Sequence, residues 1–410
     1  MKLPAIILAV CLSPIVANAG DWPQWRGPNR DESSTETGLL KQWPASGPKR
    51  AWLFENAGQG YSGFSIAAGK LFTTGTRDGK EILLALDANT GKELWAATIG
   101  DILGNGWGDG PRGTPTVDAD RVYSLSGKGN LVCAQVATGK VLWTKSMQDL
   151  GGKTPGWGYT ESPLVDGKLV VATPGGDKGT MAAFDKMTGA VVWQSKEITE
   201  GAQYSSIVPA TINGKKQYVQ LVMQTLFGVD AATGKVIWRS PWSGKTAVIP
   251  TPIVKGDEVF ISSGYGVGCK KVKVNGSEAT DVFLNKDLEN HHGGVILVGD
   301  HLYGHSKDGW TCMAFADGSV TWKEKAAFGK GAIGHADGMF YCLEEQSGSV
   351  ALIEASPGGW SEKGRFKLDP QTTIRSAKGK IWTHPVIANG KLYLRDQNLI
   401  SCYDVKTVAP

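Results

Sequence analysis

A nine-residue phrase recurs along this chain at a near-constant spacing. Asp87-Ala88-Asn89-Thr90-Gly91-Lys92-Glu93-Leu94-Trp95 returns as Gln135 to Trp143, as Asp185 to Trp193 and as Asp230 to Trp238. A degenerate fifth copy is Asp317-Gly318-Ser319-Val320-Thr321-Trp322. The tryptophans lie 48, 50 and 45 residues apart, and the next gap, 84, is two units of 42. One supersecondary unit used many times outranks any local reading of helix or strand. A period near 40–50 with short β-rich runs is that of a four-stranded propeller blade.

Each unit opens on a hairpin pattern. Ser162-Pro163-Leu164-Val165-Asp166-Gly167-Lys168-Leu169-Val170-Val171-Ala172 is an apolar run, an Asp-Gly turn and a second apolar run. Equivalent hairpins turn at Gly69, Ala119, Gly214, Gly256, Gly299, Gly338 and Gly390, which makes eight. The expected fold is therefore all-β, an eight-bladed propeller of four-stranded antiparallel blades over residues 49–410. The last unit has only three strands. Gly47-Pro48-Lys49-Arg50-Ala51-Trp52 mimics the end of the repeat with no hairpin before it. An N-terminal strand completing the C-terminal blade closes the ring and removes two sheet edges. The repeated Trp is expected to dock each blade on its neighbour, offering a large area and one N–H.

Residues 1–19 read as a secretory signal, an apolar Leu3 to Val16 ending in Ala17-Asn18-Ala19, which implies a periplasmic or secreted protein. A lipoprotein signal with Cys11 as the lipidated residue is the competing reading. No other stretch is apolar and long enough to span a membrane. Losing the leader with its single Lys2 takes the formal charge from +4 to +3. No basic stripe accompanies it, so nucleic acid is not an expected partner. The five remaining cysteines, with no adjacent pair, are expected to be buried thiols, with one disulfide allowed. Residues 20–48, with Trp22 and Trp25, are expected to form an ordered strap over the propeller. A monomer is expected.

The residues just before each hairpin converge on one face of a propeller. Here they include Trp107, Asp109 and Arg112; Trp157, Tyr159 and Glu161; Tyr204; His291 and His292; His335; and His384. Four of the six histidines fall at this one repeat position. The aromatics offer flat walls and the charged groups polar anchors, so the expected site is a ligand-binding channel face. In the plainest reading Arg112 and Glu161 pair across blades. A metal held by His291, His292, His335 or His384, with Glu161, is a further option, although no HxxxH-type spacing supports it. Gly264-Tyr265-Gly266-Val267-Gly268 has no helix after it and reads as a blade turn, not a phosphate loop.

The Asp-x-x-Thr-Gly-Lys-x-x-Trp phrase resembles the repeat of the pyrroloquinoline-quinone (PQQ) propeller family, and Trp22-Pro23-Gln24-Trp25-Arg26-Gly27-Pro28 resembles the opening of its secreted planctomycete-type members. The resemblance covers essentially the whole mature chain. It implies either of two functions. One is a non-enzymatic scaffold binding a protein, peptide or glycan, with no cofactor. The other is a quinoprotein dehydrogenase oxidising an alcohol or sugar with PQQ and Ca²⁺. The dehydrogenase pattern implies adjacent disulfide-bonded cysteines, a Ca²⁺ held by Glu and Asn, and a catalytic Asp. This chain has no Cys-Cys pair, and Asp109 is the one candidate base, on position alone. Those differences favour the scaffold.

Overall fold

The computed structural model describes residues 20–407. The leader reading and Cys11 lie outside the described residues. Eight antiparallel sheets follow one another around an axis, each built from consecutive strands. Their first strands are Ser65–Ala67, Thr116–Asp118, Leu164–Asp166, Val208–Ile212, Ile253–Lys255, Val295–Val298, Gly331–Ala336 and Val386–Ala388, hereafter blades 1 to 8. The eighth sheet is completed by Arg50–Phe54, which pairs antiparallel with Leu399–Asp404, Trp52 against Cys402. The ring is thus an eight-bladed propeller closed by its N-terminal strand, as the sequence implies.

The repeat phrase explains how blades join. Asp87 Oδ1 accepts from the N–H groups of Asn89 and Thr90 and from the Thr90 hydroxyl, folding the turn on its own backbone. Gly91 then takes φ +70, and a Cβ there would lie 2.6 Å from Trp52 of the preceding blade. Gly139 stands in the same way under Trp95, Gly189 under Trp143 and Gly234 under Trp193. Glycine is required at this step both by its left-handed backbone and by the indole lying over it. Each indole N–H is also satisfied by the next blade: Trp52 by Ala88 O, Trp95 by Val136 O, Trp143 by Lys186 O and Trp193 by Ala231 O, at 3.0–3.2 Å. The tryptophan of one blade therefore reads the turn of the next. In blade 5 Phe283 takes this place against Gly318, which is why the phrase skips a unit. The apolar core is divided accordingly into layers between neighbouring blades, for example Trp52, Leu71, Leu84, Tyr393 and Ile400 between blades 8 and 1. All five cysteines of the described residues are buried and free.

The N-terminal segment is ordered and packs on the ring. It enters the channel and touches every blade. Trp22 exchanges backbone hydrogen bonds with Ile66, and Pro23 O accepts from Val117. The Arg30 guanidinium donates to Pro163 O (2.5 Å) and Ile207 O (2.8 Å). Trp25 Nε1 donates to Thr251 Oγ1, and Arg26 to Val295 O. Ser33–Ser34 adds a parallel strand to blade 7 at His335 and Ala336, and the Glu36 carboxylate accepts from Asn389 and Gly390 of blade 8. The physical reason is that the inner strands are short and leave backbone groups facing the axis, and buried backbone groups need partners. To reach them the segment folds tightly. Arg26, Arg30 and Glu32 sit in the left-handed region at φ 61, 57 and 65, a conformation costing roughly 1–3 kcal/mol each.

A candidate binding site in the channel mouth

The face where the inner strands begin holds a cavity of about 530 Å³. The entry segments of blades 1 to 6 and of blade 8 line it, and strap residues Trp25 and Arg26 also belong to its lining. The strap thus backs the site.

A continuous chain of ring contacts forms the wall. Trp157 packs on Tyr204 (centroids 5.4 Å apart), Tyr204 on His292 (6.4 Å), and His292 stacks on Trp382 at 4.6 Å and 22°. Trp382 continues to Tyr61 (5.0 Å) and to Trp107 (6.5 Å). Arg112 lies over the Tyr61 ring, 5.0 Å from its centroid. At the strap side Trp25 meets His384 at 4.7 Å. Trp107 is 55% exposed and stands at the rim.

The histidines divide by their partners. His291 Nδ1 faces Lys330 Nζ at 2.6 Å, and an ammonium only donates, so Nδ1 is the acceptor and Nε2–H points to Tyr265 Oη, also at 2.6 Å. Burial and the Lys330 charge push its pKa down to about 3, so the ring is neutral. His292 is held well below the usual imidazole range, first by burial and then by its cationic neighbours, and its Nδ1 has no protein partner. His384 bridges Glu32 Oε2 (3.2 Å) and His292 O (2.9 Å). His335 lies off the lining, its Nδ1 3.1 Å from Ser33 Oγ of the strap.

Of the residues expected at this face, Trp107, Arg112, Trp157, Tyr204, His291, His292 and His384 line the cavity. Tyr159, Glu161 and Asp109 do not. Tyr159 is core, its hydroxyl donating to Pro174 O. Glu161 is fully buried and accepts from the Thr173 N–H and hydroxyl, and burial raises its pKa to about 7. It does not pair with Arg112, which donates to Gly108 O and Gly110 O instead. Asp109 braces its own loop by accepting from Asn105 N (2.8 Å). Tyr61, Tyr265, Trp382 and Trp25 also line the cavity, although none is among the residues expected at this face. Tyr61 and Trp382 each sit four residues before their blade's first strand, the same position as Tyr204, and that equivalence is the signal that could have found them. Tyr265 belongs to the glycine-rich blade turn, and nothing in the sequence marks it.

The cavity lining contains no Asp or Glu. No cluster of three or more His, Cys, Asp or Glu among the described residues has metal-holding geometry.

The family model described as outer membrane protein assembly factor BamB, a PQQ-repeat model, matches residues 78–324. The chain belongs to the PQQ-repeat propeller family. BamB from Moraxella catarrhalis superposes with a TM-score of 0.61 over 85% of this chain and 95% of that one, at 16% identity. The quinohemoprotein alcohol dehydrogenase of Comamonas testosteroni gives 0.51 over 95% and 81%, at 10% identity. At such identities the likeness is one of fold. A curated relative, the 1-butanol dehydrogenase (cytochrome c) of Thauera butanivorans, is 32% identical over 99 residues, which is 24% of this chain and 12% of that enzyme. The proteins this chain is similar to therefore include dehydrogenases and an assembly factor.

Proposed function

We propose that this protein is an exported, non-enzymatic binding propeller that captures a protein, peptide or glycan segment in its aromatic channel mouth. The observation that carries this reading is an aromatic cavity at the channel mouth, backed by the strap, with no carboxylate in its lining. A quinoprotein site with Ca²⁺ needs oxygen donors for a hard cation and a carboxylate base near the quinone. The ring faces and Arg112 suit a flat anionic molecule, but the lining offers no carboxylate to the cation half of that site. Asp109 and Glu161 face elsewhere, and the buried cysteines are all unpaired. The residues therefore do not fit the Ca²⁺–quinone pair, and no dehydrogenase step is drawn through them.

Two buried polar atoms support a binding role. Trp157 Nε1 and His292 Nδ1, both on lining residues, have no protein partner. A buried polar atom that holds nothing in the fold is free for a ligand. The triple change Arg112→Ala, Trp157→Ala and His292→Ala is accordingly expected to abolish retention on peptide and glycan arrays. The melting temperature should fall by no more than about 1–2 °C, an effect of about 1 kcal/mol for a chain of this size. Retention unchanged by all three, or a collapse of the fold, would mark this face as structural.

A further inference from the structure

We infer that leader removal supplies a missing cation: the α-ammonium that Gly20 gains when the Ala19–Gly20 bond is cut docks on the Glu36 carboxylate and locks the strap to blade 8. This rests on the export part of the proposed function and not on what the mouth binds.

The sequence places the cut. Ala17-Asn18-Ala19 puts small residues one and three positions before Gly20, behind an apolar run, and that is the pattern a leader-removing endopeptidase reads. Hydrolysis there consumes one water. Ala19 leaves with a carboxylate, and the Gly20 nitrogen, a neutral amide in the precursor, becomes a primary amine. An α-amino group titrates at about 7.7–8.0, so at neutral pH this amine is chiefly the ammonium.

The fold brings a carboxylate to that residue. A Cβ on residue 20 would overlap Glu36 Oε1 and lie 2.6 Å from Asn389 Oδ1, so position 20 requires glycine and two oxygens crowd its Cα. The carboxylate is fixed in turn. Its Oε1 accepts from Asn389 N (2.9 Å) and its Oε2 from Gly390 N (3.0 Å), the two amides of the turn that ends the inner strand of blade 8. Those amides orient Glu36 without neutralising it. Glu36 is half-buried and forms no ion pair among the described residues. An ammonium completes this arrangement, because it brings a full charge and three N–H groups where the precursor's amide has one. Trp22, two residues on, is buried and exchanges backbone hydrogen bonds with Ile66, which holds the new terminus beside its acceptors. Blade 8 is the sheet assembled from both ends of the chain, so the lock joins processing to ring closure.

The test expresses the full chain with its leader in a bacterial host and reads the purified exported form by intact mass and N-terminal sequencing, with Gly20 expected first. Part of that sample is acetylated selectively at its terminus, which removes the charge. Hydrogen exchange of the Asn389 and Gly390 amides is then followed in both forms, and in the same two forms of Glu36→Gln. Acetylation is expected to speed exchange about three- to fivefold, the local loosening that follows loss of a partly exposed ion pair. In Glu36→Gln exchange should already be faster, and acetylation should add nothing. Gly20→Ala, whose methyl group displaces the carboxylate, should also speed it. Equal exchange with and without the acetyl group, or an acetyl effect that persists in Glu36→Gln, would overturn the lock and leave export standing. A mature chain beginning elsewhere than Gly20 would overturn it too, and one that keeps its leader would overturn the export reading with it. The amine-against-acetyl comparison needs no substitution, so a misfolded variant cannot decide the outcome.

Discussion

Replacing Glu32 by Ala is expected to destabilise the propeller by about 3–5 kcal/mol, the cost of leaving a buried charge without its partner. Glu32 is 1% exposed in the channel. Its Oε2 lies 3.5 Å from Arg26 Nε and 3.2 Å from His384 Nδ1, and its backbone carbonyl accepts from His335 N. Arg26 is equally buried, and burial alone lowers its pKa, with Glu32 the main opposing influence. Without the carboxylate, Arg26 keeps Val295 O as a partner but loses its largest counter-charge, leaving the weaker influence of Asp31. A second change, Arg26→Met, should recover a large part of the loss, because apolar replacement of a whole buried pair is often close to neutral. Chemical denaturation of both variants measures this. A loss below about 1 kcal/mol for Glu32→Ala would mean that the strap is held by its backbone contacts alone.

A loss of similar size, about 3–5 kcal/mol, is expected for Arg395→Met, at the seam where blade 8 meets blade 1. The Arg395 guanidinium is fully buried and donates across the seam to Ser62 O (3.1 Å), Thr73 Oγ1 (2.8 Å) and Thr74 O (2.6 Å), and within its own blade to Gln397 O. Burial pulls its pKa down to about 9, with Asp396 opposing. Methionine fills comparable space but leaves those carbonyls unpaired, and each such group costs about 1–3 kcal/mol. The other closing device, Arg50–Phe54 on Leu399–Asp404, stays intact in this variant. The expected signature is therefore a lower denaturation midpoint with limited proteolysis beginning near residues 55–62. An unchanged midpoint would show that the strand alone closes the ring.

The architecture was legible because the repeat states its own physics. Asp folds the turn, Gly gives way to an indole, and Trp finds the next blade, so pattern and packing are one set of residues. The strap's place in the channel was not legible. Arg30 meets Pro163 O and Ile207 O, and Trp22 meets the Ile66 backbone, and one carbonyl looks like another in a sequence. The site was half legible for a different reason. Repeat position brings an entry segment to the channel mouth, but an extended segment sends successive side chains to opposite sides. Thr160 and Ser162 line the cavity, whereas Tyr159 and Glu161 turn behind it, and Trp157 reaches it from the preceding turn. Trp25 reaches the lining only because the strap folds inward, which no local signal records.

The central claim is that this mouth binds a ligand without the cation-assisted quinone chemistry of the family's dehydrogenases. Its most direct test is a titration of the mature protein with PQQ, with and without Ca²⁺, following melting temperature and quinone absorbance, since a ligand that binds the native state raises its stability by mass action. The account predicts the same response in both arms, because no carboxylate lines the cavity to hold the cation. A saturable shift that requires Ca²⁺, with reduction of a dye by added alcohol, would contradict it.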